Sequence, residues 1–173
     1  MKKEKRLLEY IQTNLHTERM DKVMPVITHL ADGGIAWFFI CGIFMMRETT
    51  RILAWSILIS LGIEAVVGKL MLKPAARRKR PCELEPEVPL LIRRPKDSSF
   101  PSGHTGASFA AVTAMFLYRH ILWLPSCILA CAIGYSRMYL NVHYPSDVII
   151  GALLGIIAGL LAQPLIPYFV TLL

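Results

Sequence analysis

The chain has 173 residues, of which 54% are hydrophobic and only 18% are charged, and its formal net charge is +7. Soluble domains carry about 25% charged residues on average, so this composition excludes a disordered chain and disfavours an ordinary soluble domain. An apolar chain with surplus positive charge predicts either a membrane protein or a nucleic-acid-binding protein, and the positions of the charges distinguish the two.

The charged residues are distributed unevenly along the chain. Residues 52–63 and 148–173 carry no charge, and Arg119 is the only charged residue in 98–136. Such stretches are typical of membrane-spanning helices, each of which needs about 20 mostly apolar residues. Basic residues concentrate instead in the short segment 73–97. We therefore predict a membrane protein with a site for an anionic group at the membrane edge, and no nucleic-acid partner.

The N-terminal segment, residues 1–31, is predicted to be amphipathic. Residues 6–16 place four apolar side chains on one helical face, which predicts a helix lying in the membrane interface, and residues 20–30 repeat the pattern. The four side chains are Leu7, Leu8, Ile11 and Leu15. No signal-peptide pattern is visible at the start of the chain, so the first span is expected to serve as the insertion signal.

Five apolar spans are predicted after Asp32-Gly33-Gly34, which breaks the N-terminal pattern. The fifth span carries glycines at four-residue spacing (Gly151, Gly155, Gly159), and the third carries a similar stripe of small residues; both allow another helix to approach closely. The chain is thus predicted to be one all-α domain, 1–173, a polytopic membrane helical bundle with five or six transmembrane helices and an N-terminal interfacial helix. The predicted spans are 35–46 with part of the preceding segment, 52–72, 101–118, 121–138 and 145–166.

The order of the spans predicts where the polar clusters meet. Because the third and fourth spans form a hairpin, the loop 73–100, the start of the third span and the segment 137–147 are expected on one side of the membrane. We interpret the loop 73–100 as the active-site loop.

The residues gathered on that side are suited to a phosphate group. Lys73, Arg80 and Arg137 supply positive charge, and the planar fork of arginine matches phosphate oxygens two at a time. Ser102 and Gly103 open a helix, whose free N–H groups and dipole favour an anion.

Two histidines and one carboxylate complete a predicted catalytic set. Asp147 follows His143 by four residues, so it could hold the Nδ1 proton and leave Nε2 as a nucleophile. His104 could protonate the leaving oxygen. The chain shows no metal-ligand spacing, and its four cysteines suggest neither a disulfide framework nor a metal site. We therefore predict phosphoryl transfer through a phosphohistidine, with no metal and no cofactor.

These motifs resemble a known family. Lys-x6-Arg-Pro from Lys73, Pro-Ser-Gly-His from Pro101, and Ser-Arg-x5-His-x3-Asp from Ser136 are similar to the signature of the type 2 phosphatidic acid phosphatases, or lipid phosphate phosphatases. The resemblance implies His143 as nucleophile, Asp147 as its orienter and His104 as general acid. It also implies a set of phosphate ligands: Lys73, Arg80, Ser102, Gly103 and Arg137.

The resemblance also suggests substrates and a location. Small bacterial members suggest undecaprenyl diphosphate or phosphatidylglycerophosphate, with phosphatidic acid or a lipid A phosphate as further candidates. The family implies a multi-pass plasma-membrane protein with its active site on the outer face. The positive-inside rule predicts the opposite face, because most Lys and Arg lie on the active-site side.

Several hypotheses remain open at this level. A non-enzymatic protein that binds or transports anionic lipids is the alternative function. The run Arg77-Arg78-Lys79 is interpreted as a topology signal or a lipid-headgroup contact. Glu64, inside the second span, is either functional or bonded to a neighbouring helix. His29 has no evident partner in the sequence and is predicted to be structural or solvated. The oligomeric state is left open.

Overall fold

The computed structural model describes residues 2–85 and 88–170, so residues 86 and 87 of the predicted active-site loop lie outside it. The described part of the chain is all-helical, as predicted. Two short 3₁₀ segments, Asp32–Gly34 and Gln163–Leu165, and one π-helical segment, Ala65–Leu72, interrupt the α-helices. The α-helices are α1 (Lys2–Asn14), α2 (Glu18–His29), α3 (Ile35–Met45), α4 (Glu48–Glu64), α5 (Lys73–Ala76), α6 (Pro81–Leu84), α7 (Gly103–Leu117), α8 (Trp123–Tyr139), α9 (Pro145–Ala162) and α10 (Ile166–Val170).

The predicted spans correspond to helices, but the helices differ in length. Glu48–Leu84 and Pro145–Phe169 are long and apolar enough to cross a membrane. Helix α2 and the segment Asp32–Met45 pass the same test only together, as one span bent by 48°. Helices α7 and α8, with 15 and 17 residues, reach about 22 and 25 Å at 1.5 Å per residue, less than the roughly 30 Å of a bilayer core. Length and apolarity alone therefore identify two or three spans.

Helix α7 lies at the centre of the bundle, between α4, α8 and α9. Its residues Ala110, Ala111 and Ala114 are fully buried, so small side chains let three helices pack closely around it. The glycines of α9 face α7: a Cβ at Gly151 would lie 2.5 Å from the Ser102 carbonyl oxygen, and one at Gly155 would overlap the backbone of α7. The predicted close approach along the glycine stripe is confirmed.

Gly155→Ala is expected to destabilise the protein by about 1–3 kcal/mol, because the new methyl group would push α9 away from the backbone of α7. Gly42→Ala in α3 is the matched control, since a Cβ there would have no heavy atom within 4 Å. The control should be neutral or slightly stabilising, because alanine favours helix more than glycine does. Thermal unfolding in detergent measures both variants, and an unchanged melting temperature for Gly155→Ala would contradict this packing.

Helix α1 does not present the apolar face that the sequence predicts. Leu8 and Ile11 are 4% and 3% exposed, whereas Leu7 and Leu15 are 46% and 37% exposed. Ile11 packs in a cluster with residues of the turn between α8 and α9, and the Gln12 side chain donates to the Tyr139 carbonyl oxygen at 2.9 Å. The helix is therefore docked on the protein through part of its predicted face, because the end of α8 offers it a packing surface.

Candidate active site

The three sequence motifs converge at one end of the bundle, as the hairpin argument predicts. Arg80 Nη1 lies 3.0 Å from His143 Nε2, and the Ser102 amide donates to the Asp147 carbonyl oxygen at 3.0 Å. A cavity of about 600 Å³ opens there. Six of the eight predicted site residues line it: Lys73, Arg80, Gly103, His104, Arg137 and His143. Asp147 and Ser102 lie behind its wall, and both are fully buried.

His143 lies in the short turn between α8 and α9 and is 1% exposed. Its Nδ1 faces Asp147 Oδ2 at 3.5 Å, on the opposite edge of the ring from Arg80. Arginine can only donate, so His143 Nε2 must accept, and the ring proton of the neutral form must lie on Nδ1, toward the carboxylate. This tautomer leaves Nε2 unprotonated on the edge of the ring that faces Arg80.

Two influences keep the His143 ring neutral. Burial lowers the pKa of His143; the Asp147 carboxylate opposes this, but the charges of Arg80 and Arg137 lower that pKa further. The net effect is a pKa well below the ordinary value of about 6.5. A neutral imidazole with an unprotonated Nε2 is the form required of a nucleophile.

Several donors other than His143, whose Nδ1 lies at 3.5 Å and forms no hydrogen bond, hold the Asp147 carboxylate. Its Oδ1 accepts from Arg78 Nη1 at 2.6 Å, and its Oδ2 accepts from the Ser99 hydroxyl and from the Tyr144 amide at 2.8 Å. The last bond is part of the N-terminal cap of α9. The carboxylate is thus fixed before any substrate enters, as an orienting residue must be.

Arg78 was not predicted as part of this site, and its interpretation as a topology signal or headgroup contact is wrong. Its guanidinium points inward, lies 4.1 Å from the centre of the Tyr144 ring, and also donates to Ser146 Oγ at 2.7 Å and Glu4 Oε2 at 3.2 Å. One sequence signal was available. In an extended loop, residue 78 falls on the same side as Arg80, because alternate residues share a face.

Arg78→Gln is expected to lower kcat about 10- to 100-fold with little change in KM, because Asp147 would lose its strongest donor and His143 would lose its alignment. Lys79→Gln is the matched control, since Lys79 is exposed and its substitution removes the same charge from the same loop. Initial rates of phosphate release measure the effect, and equal rates for the two variants would show that Arg78 does not orient the site.

The cations at the cavity entrance share one carboxylate that sequence analysis missed. Lys73 Nζ lies 2.5 Å from Asp97 Oδ2, and Arg80 Nη2 lies 2.7 Å from Asp97 Oδ1. Burial by itself raises the pKa of the Asp97 carboxyl, but the Lys73 ammonium and the Arg80 guanidinium together hold that pKa well below its usual value. Asp97 therefore remains ionised and keeps the two cations side by side.

Arg137 presents a buried guanidinium group at the cavity wall. It is 3% exposed, its Nη1 donates to the Thr28 hydroxyl, and its Nε has no hydrogen-bond partner within the described ranges. A buried N–H without a partner at a cavity wall is suited to a phosphate oxygen. Ser102 differs, because its amide donates to Asp147 and its hydroxyl pairs with Thr105 Oγ1 at 2.9 Å. A contact with phosphate would require Ser102 to line the cavity, and in the structure Ser102 does not line it.

His104 faces the cavity from the start of α7, and its Nε2 lies 2.7 Å from Asp32 Oδ1. Asp32 was predicted only as a break between helices, although a charged residue at the edge of an apolar span is a functional candidate. The other Asp32 oxygen lies 2.6 Å from His29 Nδ1, so the prediction that His29 has no partner is wrong.

Glu64 also lines the cavity, and it is 5% exposed. Its side chain fills the space left by two glycines, Gly68 and Gly106. Its Oε1 has no hydrogen-bond partner in the described part of the chain, so the hypothesis of a bond to a neighbouring helix finds no support at that atom.

Comparison with known proteins now adds to this geometry. The sequence profile of the PAP2 superfamily matches residues 49–170, which contain all three motifs. The chain belongs to the PAP2 superfamily. The resemblance inferred from the motifs is therefore confirmed.

Relatives and a solved structure agree with this classification. The chain is 34% identical over 143 residues to the bacitracin transport permease protein BcrC of Bacillus licheniformis, covering 79% of this chain and 68% of that protein. It is also 34% identical over 120 residues to an undecaprenyl-diphosphatase of Sulfolobus acidocaldarius, covering 69% of this chain but only 58% of the relative. The crystal structure of Aquifex aeolicus LpxE superposes with a TM-score of 0.80 at 26% identity, over 92% of this chain and 93% of that one.

Proposed function

We propose that this PAP2 protein is an integral membrane phosphatase that hydrolyses a phosphomonoester or diphosphate on a lipid. The observation that carries the proposal is the His143 ring, which lines the cavity with Nε2 3.0 Å from Arg80 and Nδ1 3.5 Å from Asp147. The cavity continues from the cationic end to apolar side chains such as Phe38, Leu61 and Ala107, which suit the first part of a lipid tail.

The proposed reaction proceeds in two steps. His143 Nε2 attacks phosphorus, its lone pair forms the N–P bond, and the bond from phosphorus to the leaving oxygen breaks as His104 protonates that oxygen. Water then attacks the phosphohistidine, His104 takes the proton of that water, and inorganic phosphate leaves. Lys73, Arg80 and Arg137 stabilise the negative charge on the phosphoryl oxygens, which is the role a metal has in other phosphatases.

The substrate class has several candidates. Undecaprenyl diphosphate and phosphatidylglycerophosphate come first, with phosphatidic acid and a lipid A phosphate behind them. The name of the Sulfolobus relative supports a prenyl diphosphate. The cations Lys73, Arg80 and Arg137, here called the phosphate clamp, would bind the phosphate of all four candidates in the same way. The part of the lipid beyond the phosphate must therefore distinguish them.

The proposed topology has five spans in the plasma membrane, with α7 and α8 crossing as a hairpin and the active site on the outer face. The positive-inside rule opposes this placement. However, Lys73, Arg78 and Arg80 are paired with Asp97 and Asp147, so much of the charge on this side belongs to the folded site. Labelling of a cysteine engineered at Pro89 tests the placement. Reaction with an impermeant reagent in intact cells supports the outer face, and reaction only after lysis refutes it.

Phosphate release from a panel of the four lipids, with and without chelator, tests the proposed function. Release from at least one lipid that persists in chelator and disappears in His143→Ala is the expected result. Loss of activity in chelator would refute the metal-free mechanism. The Bacillus licheniformis relative is named a transport permease, and a second candidate is therefore binding or transport of an anionic lipid without hydrolysis. Binding of a lipid with no release from any of the four would establish that alternative.

A further inference from the structure

We propose that Asp32 is a positioning residue for the general acid: its carboxylate holds the His104 ring with Nε2 protonated and directs the other nitrogen toward the leaving oxygen. This inference rests on the proposed function, since it concerns the proton that His104 supplies. It assigns a role to the turn between α2 and α3, which the sequence motifs do not include.

The backbone of that turn brings the carboxylate to the cavity. Gly33 and Gly34 have φ angles of 59° and 76°, in the left-handed region that glycine adopts without strain. These two residues let α3 leave at an angle to α2 and place Asp32 at the junction, on the cavity wall beside α7. A residue with a side chain at either position would make this sharp turn costly.

Both oxygens of the carboxylate have partners, so its orientation is fixed. Asp32 Oδ1 lies 2.7 Å from His104 Nε2, and Oδ2 lies 2.6 Å from His29 Nδ1. His104 is the less exposed of the two rings, with its side chain 23% exposed against 59% for His29. The bond to His104 is therefore the better shielded from solvent, and shielding strengthens a hydrogen bond between charged groups.

A second contact of the same segment points to the same conclusion. Thr28, one turn before Asp32, is 1% exposed, and its hydroxyl accepts from Arg137 Nη1. Residues 28–32, at the end of α2 and in the turn that follows, thus contact two predicted site residues, the phosphate ligand Arg137 and the acid His104. The segment therefore forms part of the cavity wall and contacts site residues, whereas a helix that only lay in the membrane interface would make no such contacts.

The chemistry follows from the hydrogen-bond pattern. A carboxylate can only accept, so His104 Nε2 carries a proton toward Asp32, and in the imidazolium form of the ring the proton available for transfer lies on Nδ1. Nδ1 has no hydrogen-bond partner among the residues that the structure describes, and the ring lines the cavity. As the bond from phosphorus to the leaving oxygen breaks, that oxygen takes the Nδ1 proton, and His104 becomes neutral while Nε2–H stays bonded to Asp32. The attacking water then returns a proton to Nδ1.

The test compares leaving groups in purified full-length protein. One substrate is a lipid phosphomonoester, whose alkoxide leaving group needs a proton. The other is a nitrophenyl phosphate carrying an alkyl chain, whose leaving group departs without one. Asp32→Asn keeps the shape of the side chain but removes its charge. We expect kcat on the lipid to fall about 100-fold with KM unchanged, because a general acid contributes about 10²- to 10⁴-fold. The aryl phosphate should be hydrolysed within about threefold of the wild-type rate.

Asp21→Asn is the matched control. Asp21 also pairs with a histidine, His16 Nδ1 at 2.8 Å, but neither residue lines the cavity. The control should hydrolyse both substrates at the wild-type rate. An equal loss of kcat on both substrates in Asp32→Asn would overturn the inference and assign Asp32 a structural role. Full activity of Asp32→Asn on both substrates would overturn the inference as well.

His104→Gln separates this inference from the proposed function. Selective loss on the lipid in His104→Gln, without selective loss in Asp32→Asn, would refute only the role of Asp32. No selective loss in His104→Gln would refute the acid role of His104 itself. Wild-type protein that hydrolyses neither substrate would refute the proposed function.

Discussion

His143→Ala is expected to lower phosphate release by about 10⁴-fold or more, because the variant lacks the nitrogen proposed to form the bond to phosphorus. The structure supports so large an effect, since His143 lines the cavity and its Nδ1 faces Asp147, which leaves Nε2 unprotonated. Arg80, whose Nη1 lies 3.0 Å from Nε2, is a cationic donor and cannot replace it as a nucleophile. The fold should be preserved, because alanine fits within the volume of the removed ring.

Trapping of the intermediate makes this test specific. Wild-type protein mixed with lipid labelled in the terminal phosphate and quenched in alkaline detergent should retain label, because phosphohistidine is labile to acid but survives base. His143→Ala should retain none. His120→Ala is the control, since His120 contacts the Phe44 ring at the opposite end of α7 from His104. Label retained by His143→Ala would place the nucleophile elsewhere.

Arg80→Lys is expected to lower kcat/KM about 10²- to 10³-fold, although the charge is kept. Arg80 is 2% exposed, and its guanidinium makes four well-formed contacts at 2.7–3.0 Å. They lead to two separate segments, Asp97 on one side and the Val142 carbonyl oxygen and His143 on the other. A lysine ammonium is a compact group that cannot span both segments, so the phosphate clamp and the nucleophile would lose their common support.

The matched control for this variant is Arg51→Lys, an exposed arginine of α4 at the other end of the bundle. Rates measured over a range of lipid concentrations separate the two contributions of Arg80. We expect both a higher KM, from the weaker clamp, and a lower kcat, from the misaligned ring. Activity within fivefold of wild type in Arg80→Lys would show that only the positive charge matters at this position.

The sequence was informative where the determining pattern is local. The motif spacing identified Lys73, Arg80, His104, Arg137, His143 and Asp147, and the order of apolar spans placed them on one side. Small residues every fourth position predicted the tight packing of α9 on α7, because helical periodicity places such residues on one face. These predictions needed only residue types and helix geometry.

The predictions failed where an interaction joins distant parts of the chain. The apolar face of α1 was assigned to the membrane, but Leu8 and Ile11 are buried on the protein, since the sequence cannot show which surface a helix meets. Asp97, which holds Lys73 and Arg80 side by side, lies 24 residues from Lys73. Ser102 was assigned to phosphate by its place at a helix start, but its amide donates to the Asp147 carbonyl oxygen and its hydroxyl pairs with Thr105 Oγ1.

What the sequence alone determined is therefore the set of chemical groups, because the proposed nucleophile, acid and cations are residue types at characteristic spacing. What the tertiary structure decided is how those groups are held. Arg78 reaches Asp147 across 69 residues, Asp32 reaches His104 across 72, and Thr28 reaches Arg137 across 109. Hydrogen bonds require contact within about 3 Å. Only the packing of α2 and the loop before α7 against the helical core brings these partners to that distance.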